Sequence, residues 1–245
     1  MTAPLFVVDT DRLAPGPVLV DGAEGRHAVS VRRLRVGEAV TLTDGAGRGG
    51  TGTVAATEGK DRLTVHLDEL VEEPPPSPRI TVVQALPKGD RGELAVETMT
   101  ETGVDAIVPW TASRCITQWR GPRGEKSLAK WRNTAREAGK QSRRLRFPEV
   151  HDPVTTAQLV PLLAKAAFAG VLHEEGASPL ARAELPTEGE IMLVVGPEGG
   201  VAPAELDAFA EAGAHPYQLG QSVLRTSTAG TAATALLLGR TGRWG

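Results

Sequence analysis

The sequence predicts two structural parts, a small all-β domain followed by an α/β domain on a parallel sheet. Three observations carry this. Residues 1–72 hold five short strand-like runs set apart by glycine-bearing turns, the spacing of a barrel or a sandwich. A boundary segment follows at residues 73–79, where four prolines in five residues, Pro74 to Pro78, stiffen the chain into an extended spacer. From residue 80 to 245, the second part opens with an apolar run, a helical pattern and another apolar run. That β-α-β order implies a parallel pair with a right-handed crossover.

The runs of the first part are Leu5–Val8, Val18–Val20, Ala39–Thr43, Gly52–Ala55 and Leu63–Leu67. Asp44-Gly45 and the glycines after it predict a hairpin between the third and fourth. Between the second and third runs, Arg26, Arg32, Arg33 and Arg35 cluster within ten residues, with Arg48 nearby. Clustered charge of one sign suits contact with phosphates, and the plain alternative is a solvated helix face.

In the second part Ile80–Leu86 reads as a buried strand. Asp90 and Glu93 have the spacing of an N-cap and its reciprocal partner, so a helix is expected to start there and end at Gly103. Val104–Pro109 is the next strand. Between Arg114 and Arg146 lie eleven cations and only Glu125 and Glu137 as anions. Lys126, Lys130, Trp131, Ala135, Ala138 and Ser142 recur at helical spacing there, with Trp131 and Ala135 facing the core. A helix face of one sign, with Arg132, Arg136 and Arg144 upon it and Arg114 before it, favours a polyanion partner over mere solvation. Phe168–Glu174 is a further strand with its exit. The last helix begins near Thr226, and Ala229, Ala232, Ala233, Leu236 and Leu237 form a stripe of mostly small residues along it.

Two stretches near the C-terminus stand out. Each reads as an apolar strand, a tight turn and a helix. The first, Ile191 to Gly200, closes on Gly196-Pro197-Glu198-Gly199-Gly200, and Pro203 and Glu205 suit the first turn of the helix behind it. The second runs from Leu219 through Gly220, Val223, Leu224 and Arg225 to Gly230. Turns at the C-terminal ends of strands are where open α/β sheets bind ligands. The first turn has neither the lysine of a P-loop nor the spacing of a Rossmann turn. Glu198 repels a pyrophosphate and suits a cationic or hydroxyl-bearing ligand. On spacing alone, the turn is also compatible with an ordinary strand-to-helix connection.

The pair of stretches resembles the cofactor loops of the SPOUT RNA methyltransferases. Gly196-Pro197-Glu198-Gly199-Gly200 with Leu224-Arg225-Thr226 and Thr228-Ala229 is most similar to the ribosomal small-subunit methyltransferase E family. Lys88, Glu101-Thr102-Gly103-Val104, Trp131-Arg132, Glu137-Ala138, Gln141-Ser142 and Arg144 extend the likeness over nearly the whole chain. The resemblance implies a trefoil-knotted α/β fold, an N-terminal barrel similar to PUA domains, S-adenosyl-L-methionine as cofactor, and a homodimer. It also implies methylation of N3 of a uridine in small-subunit ribosomal RNA, free or in the ribosomal particle. Other SPOUT targets, a ribose 2′-hydroxyl or a guanine, and a non-catalytic RNA-binding role are the alternatives. Ser227 stands where glutamate is frequent in the family.

The resemblance places Arg225 and Glu198 in catalysis. It places Leu172, His173, Gly196, Pro197, Glu198, Gly199, Gly200, Leu219, Gly220, Val223, Leu224 and Arg225 around the cofactor. The RNA-binding candidates are Arg26, Arg32, Arg33, Arg35, Lys88, Arg114, Arg132, Arg136 and Arg144. No metal is expected, since the five histidines and one cysteine show no ligand spacing.

Composition narrows the rest. Hydrophobic content of 40% and charged content of 23% are ordinary for a soluble globular chain of 245 residues. No apolar run approaches the roughly 20 residues of a membrane span. Met1-Thr2-Ala3-Pro4 carries neither the basic nor the apolar region of a signal peptide, and a cytoplasmic protein is expected. Cys115, the single cysteine, forbids an internal disulfide and reads as a small buried residue.

Overall fold

The computed structural model describes residues 3–176 and 178–245; Met1 and Thr2 of the N-terminal stretch read above, and Ala177, lie outside the described residues. Contacts divide the chain into two compact units. One holds the residues up to Pro75 together with Arg136–Phe147, the other Pro76–Ala135 together with Pro148–Gly245.

The first unit is a six-stranded sheet. Its strands are β1 (Leu5–Val7), β2 (Gly16–Val20), β3 (Ala39–Thr43), β4 (Arg48–Glu58), β5 (Arg62–Leu67) and β6 (Val71–Glu72). The order is β1-β3-β4-β5-β2 with β6 on β4, and only β1 and β3 run parallel. Val18 and Val20, Val40 and Leu42, and Leu63, Val65 and Leu67 are buried at every second position, as one core-facing side requires. β4 begins earlier than its sequence pattern, because Gly49, Gly50 and Gly52 belong to the strand and not to the turn. A Cβ on each would lie 2.1–2.3 Å from a backbone carbonyl oxygen of Leu42, Glu69 or His66. Close backbone approach, not chain reversal, requires these glycines.

A short helix, α1 (Gly22–Arg26), and a π-type turn over His27–Val31 follow β2. Residues 136–147 join this unit through backbone pairing. Phe147 N donates to Gly45 O at 2.8 Å, Gly47 N to Leu145 O at 3.0 Å, and Thr43 Oγ1 to Leu145 O at 2.7 Å. Glu24 accepts from both Arg136 and Lys140, at 3.2 and 3.0 Å.

The second unit holds β7 (Arg79–Ala85), α2 (Arg91–Thr102), β8 (Ala106–Thr111), most of α3 (Gly121–Gln141), β9 (Glu149–Val150), β10 (Val154–Thr155) and α4 (Thr156–Leu163). It continues with β11 (Phe168–Leu172), β12 (Ser178–Pro179), β13 (Glu190–Val195), α5 (Pro203–Glu211), β14 (His215–Gln218) and α6 (Thr226–Arg240). All its strand pairs are parallel, in the order β10-β8-β7-β13-β11-β14-β12, with β9 on β8. β7 and β13 are buried beyond their first residue and mostly apolar, with Thr81 and Gln84 the polar residues inside β7, as suits central parallel strands covered on both faces.

Two expectations need correction here, on Asp90 and on the strand before the second turn, while α6 packs as its small residues suggest. Asp90 flanks α2 but its side chain makes no cap hydrogen bond; Glu93 instead pairs with Lys130 at 2.9 Å. The strand before the second C-terminal turn is His215–Gln218, exposed or half-buried, so Leu219 onward is loop and not an apolar strand. The small residues of α6 face inward: a Cβ at Gly230 would meet Met99 Sδ at 2.5 Å, and Thr231 shares a 2.7 Å hydroxyl contact with Thr98. Packing on α2 and β7 uses this stripe.

Trp131 is buried as expected. It closes over Gly92, where a Cβ would lie 2.7 Å from its ring, and meets Trp119 edge-on at 4.9 Å. The chain end is clamped by Arg243, whose guanidinium grips both oxygens of Asp105 and also donates to Pro78 O at 3.2 Å. Asp105 accepts in addition from Ile80 N at 2.8 Å, and its side chain is only 3% exposed. Removing one partner of a buried pair leaves a charge without compensation. Arg243→Met is therefore expected to destabilise the second unit by about 3 kcal/mol, read as a lowered midpoint in urea unfolding.

Candidate active site

The sequence puts tight turns after β7, β8, β11, β13 and β14, and parallel pairing brings all five strand ends to one edge. The strand order reverses between β7 and β13, since β7 leads to β8 on one side while β13 and β11 lie on the other. Crevices form at such a reversal. A cleft of about 1010 Å³ opens beside it, over the ends of β13, β11 and β14. Its walls are the exits of β8, β11, β13 and β14 and the first residues of α2 and α6.

The turn after β13 is anchored on three sides. Gly200 N donates to Pro197 O at 2.9 Å, Arg114 Nη1 to Gly199 O at 3.0 Å, and Lys88 N to Glu198 Oε1 at 3.1 Å. Gly200 has φ +74°, a conformation that glycine adopts without cost. Gly199 has no such requirement, and a Cβ there would stand 3.5 Å from Arg114 Cβ, an ordinary contact. Only one of the two glycines thus needs its conformational freedom. At Gly196, a Cβ would press on Val201 Cγ2 at 2.8 Å.

The second turn differs in character. The backbone groups of Gly220 to Leu224 make no hydrogen bond within the described residues. Val223 is 74% and Leu224 40% exposed. Arg225 is the N-cap residue of α6; its carbonyl accepts from Thr228 N and Ala229 N, both at 2.9 Å. Its guanidinium is exposed, lines the cleft, and has no hydrogen-bond or ion-pair partner among the described residues. Leu172 and His173, at the end of β11, complete that wall; His173 N donates to Tyr217 O at 3.0 Å. All the predicted cofactor-binding residues thus line one cleft.

The predicted RNA-binding residues separate into groups. Arg26, Arg32, Arg33 and Arg35 are exposed on the first unit, and none has a side-chain partner among the described residues. Arg136 is held by Glu24, and Arg144 is half-buried. In the second unit, Arg132 donates to Val150 O at 3.1 Å and pairs with Asp152 at 2.9 Å. Lys88 is exposed at the β7 exit, and Arg114 lies in the cleft itself. Burial raises the pKa of the Cys115 thiol, so this cysteine is no reactive nucleophile.

Sequence reasoning missed three residues. Arg91, the first residue of α2, lines the cleft. Glu205 is 6% exposed and accepts from Ser113 N (2.8 Å), Thr156 Oγ1 (2.9 Å) and Ala202 N (3.1 Å), which ties α5 to the β8 exit beside Arg114. Gln84, fully buried near the end of β7, donates to Thr226 Oγ1 at 3.0 Å. A glutamine inside an otherwise apolar strand was the available signal for the last.

Comparison with known proteins agrees with this geometry. A family model described as RNA methyltransferase domain matches residues 73–238, and one described as RNA methyltransferase PUA domain matches residues 20–68. A ribosomal RNA small subunit methyltransferase E from Mycobacterium bovis is 44% identical over 248 residues, covering 100% of this chain and 94% of its own. The chain belongs to the ribosomal RNA small subunit methyltransferase E family. A Bacillus subtilis protein of the same name is 28% identical over 218 residues, 86% of this chain and 85% of its own. The crystal structure of a ribosomal RNA small subunit methyltransferase E from Neisseria gonorrhoeae bound to S-adenosyl methionine matches with a TM-score of 0.85. Its identity is 30%, with 98% of each chain covered. The fold is thus that of SPOUT methyltransferases with a PUA-like domain at the N-terminus.

The two glycines of the turn should separate by experiment. Gly200→Ala forces a side chain into the left-handed region, at a cost of about 1–2 kcal/mol, whereas Gly199→Ala should leave stability within about 0.5 kcal/mol. Urea unfolding of the two variants side by side checks this.

Proposed function

We propose that the protein transfers a methyl group from S-adenosyl-L-methionine to N3 of a uridine in small-subunit ribosomal RNA. Arg225 carries the reading, as an exposed guanidinium without a partner among the described residues, presented from the N-cap position of α6 at the wall of the cleft. An arginine kept for structure would be spent on the carbonyls of its own turn.

The residues present fit the cofactor. Leu172, Val195 and Leu219 offer apolar surface to an adenine ring, and the unpaired backbone groups of Gly220 to Leu224 can bind its edge and the amino-acid end. Glu174, Glu175 and Glu198 place carboxylates around a ligand that bears positive charge. The cofactor supplies a methyl already activated on a sulfonium. The chain's remaining tasks are to orient, to exclude water, and to favour loss of the N3 proton. N3 of uracil is an imide nitrogen, and the planar Arg225 fork stabilises the charge that develops as the proton leaves. Glu198, with one oxygen held by Lys88 N, keeps the other for the ligand or the departing proton.

On the first unit, Arg26, Arg32, Arg33 and Arg35 suit an RNA backbone, being exposed and unpaired. Arg132 and Arg136 have carboxylate partners and contribute less. A homodimer belongs to this reading on the family resemblance alone, because the inner small residues of α6 are occupied by α2.

Arg225→Ala should fold, bind both ligands and lose on the order of 100- to 1,000-fold in single-turnover rate; Arg225→Lys should rescue poorly, since it keeps the charge without the fork. Normal turnover with a lowered melting temperature would make Arg225 structural. Nucleoside mass spectrometry of the RNA product identifies the methylated atom, and a methyl on ribose or guanine would overturn the uridine-N3 assignment. The double change Arg32→Ala with Arg35→Ala should flatten the salt dependence of RNA binding by about two phosphate contacts, with cofactor affinity unchanged. Arg132→Ala should flatten it less.

A further inference from the structure

We infer that Gln84 is a positioning residue for methyl transfer, acting through the Thr226 hydroxyl on the carbonyl of Gly196. The inference rests on the methyltransferase reading above. Gln84 is the penultimate residue of β7 and is fully buried. Its Nε2 donates to Ala85 O and to Thr226 Oγ1, both at 3.0 Å. The neighbouring Ala85 carbonyl sets the orientation of the amide, because turning it over would face two acceptors toward each other.

A hydroxyl has one proton to give. With Gln84 donating into Thr226 Oγ1, that proton goes to Gly196 O, 2.8 Å away. The chain of bonds therefore runs one way, from a central strand through α6 to the first residue of the glycine turn. Thr226 directly follows Arg225, so the same hydroxyl also locates the backbone that presents the cation. Both halves of the site are thereby referred to one atom on β7.

A second observation separates this role from packing. Gln84 Oε1 is buried and has no hydrogen-bond partner among the described residues. An unsatisfied buried acceptor weakens the folded state. Val82, Val83 and Ala85 beside it are apolar and fully buried, and stability alone would place an apolar side chain at residue 84 as well. The amide is retained against that preference, and the bond it supplies ends at the cofactor turn.

Gln84→Met keeps the volume and removes the link. We expect its melting temperature to equal or exceed that of the wild type. Its single-turnover rate at saturating ligands should fall about 10- to 100-fold, and its S-adenosylmethionine dissociation constant by calorimetry should rise about 3- to 10-fold. KM for RNA should stay unchanged. Thr226→Ser keeps the hydroxyl and should retain most of the rate. Thr226→Val should lose it, and combining it with Gln84→Met should add little, because the two act as a unit. Wild-type rate and cofactor affinity in Gln84→Met, a rate loss that follows a drop in melting temperature, or additive effects in the double variant would each overturn the inference. A wild-type protein that binds no S-adenosylmethionine would instead sink the methyltransferase reading itself.

Discussion

The hydrogen bond from Thr226 Oγ1 to Gly196 O joins two turns that lie 30 residues apart in the chain. One turn presents glycine backbone, the other an arginine and a run of unpaired peptide groups. Neither is stable in its place by itself: Gly220 to Leu224 make no internal hydrogen bonds, and the Gly196–Gly200 turn has only one of its own. Their relative position depends on the start of α6, and α6 depends on its small inner face. Gly230 lets the helix approach α2 and β7 closely, where a Cβ would meet Met99 Sδ at 2.5 Å and Val82 Cγ1 at 3.3 Å. Packing deep in the second unit is in this way converted into the geometry of a solvent-facing cleft.

Charge is distributed along the same edge of the sheet in strand order. Arg114 and Lys88 with Arg91 stand at the exits of β8 and β7, Glu198 at β13, and Glu174 and Glu175 beyond β11. Neighbouring strands lie roughly 4.8 Å apart, so the cationic end at β8 and β7 directly adjoins Glu198 at β13, and Arg225 adds a further cation beyond β14. Glu205 makes the cationic end rigid, because its two oxygens fix the residue before Arg114 and the start of α5 together.

Local pattern made much of this legible. The β-α-β order around α2, the burial of β7 and β13, the end of α2 at Gly103 and the start of α6 at Thr226 all follow from runs of apolar residues and their punctuation. The two C-terminal stretches were visible as candidate turns, and the cleft brings together every cofactor-binding candidate named from them. Less legible were features in which a residue serves a distant partner. Gly49 and Gly50 look like part of the turn before the strand run and lie in the strand, since what they accommodate is another backbone. Glu93 has the spacing of a cap partner and reaches Lys130 instead. Arg132 and Arg136 look like part of a uniformly basic face, but Asp152 and Glu24 meet them from elsewhere in the chain.

By itself the sequence determined the two-part organisation, the parallel α/β character of the second part, the two C-terminal turns that face the cleft and the cluster of arginines near the N-terminus. Periodicity, glycine and proline placement and charge density are properties of adjacent residues, and adjacent residues suffice to read them. Only the tertiary structure decided which arginines are unpaired among the described residues, which glycine of the turn has a positive φ, that Arg91 lines the cleft, and that Gln84 and Glu205 are hydrogen-bonded to the elements around it. The reason is that hydrogen bonds and ion pairs depend on which strand ends are neighbours, and the order β8-β7-β13-β11-β14 is written in no local pattern.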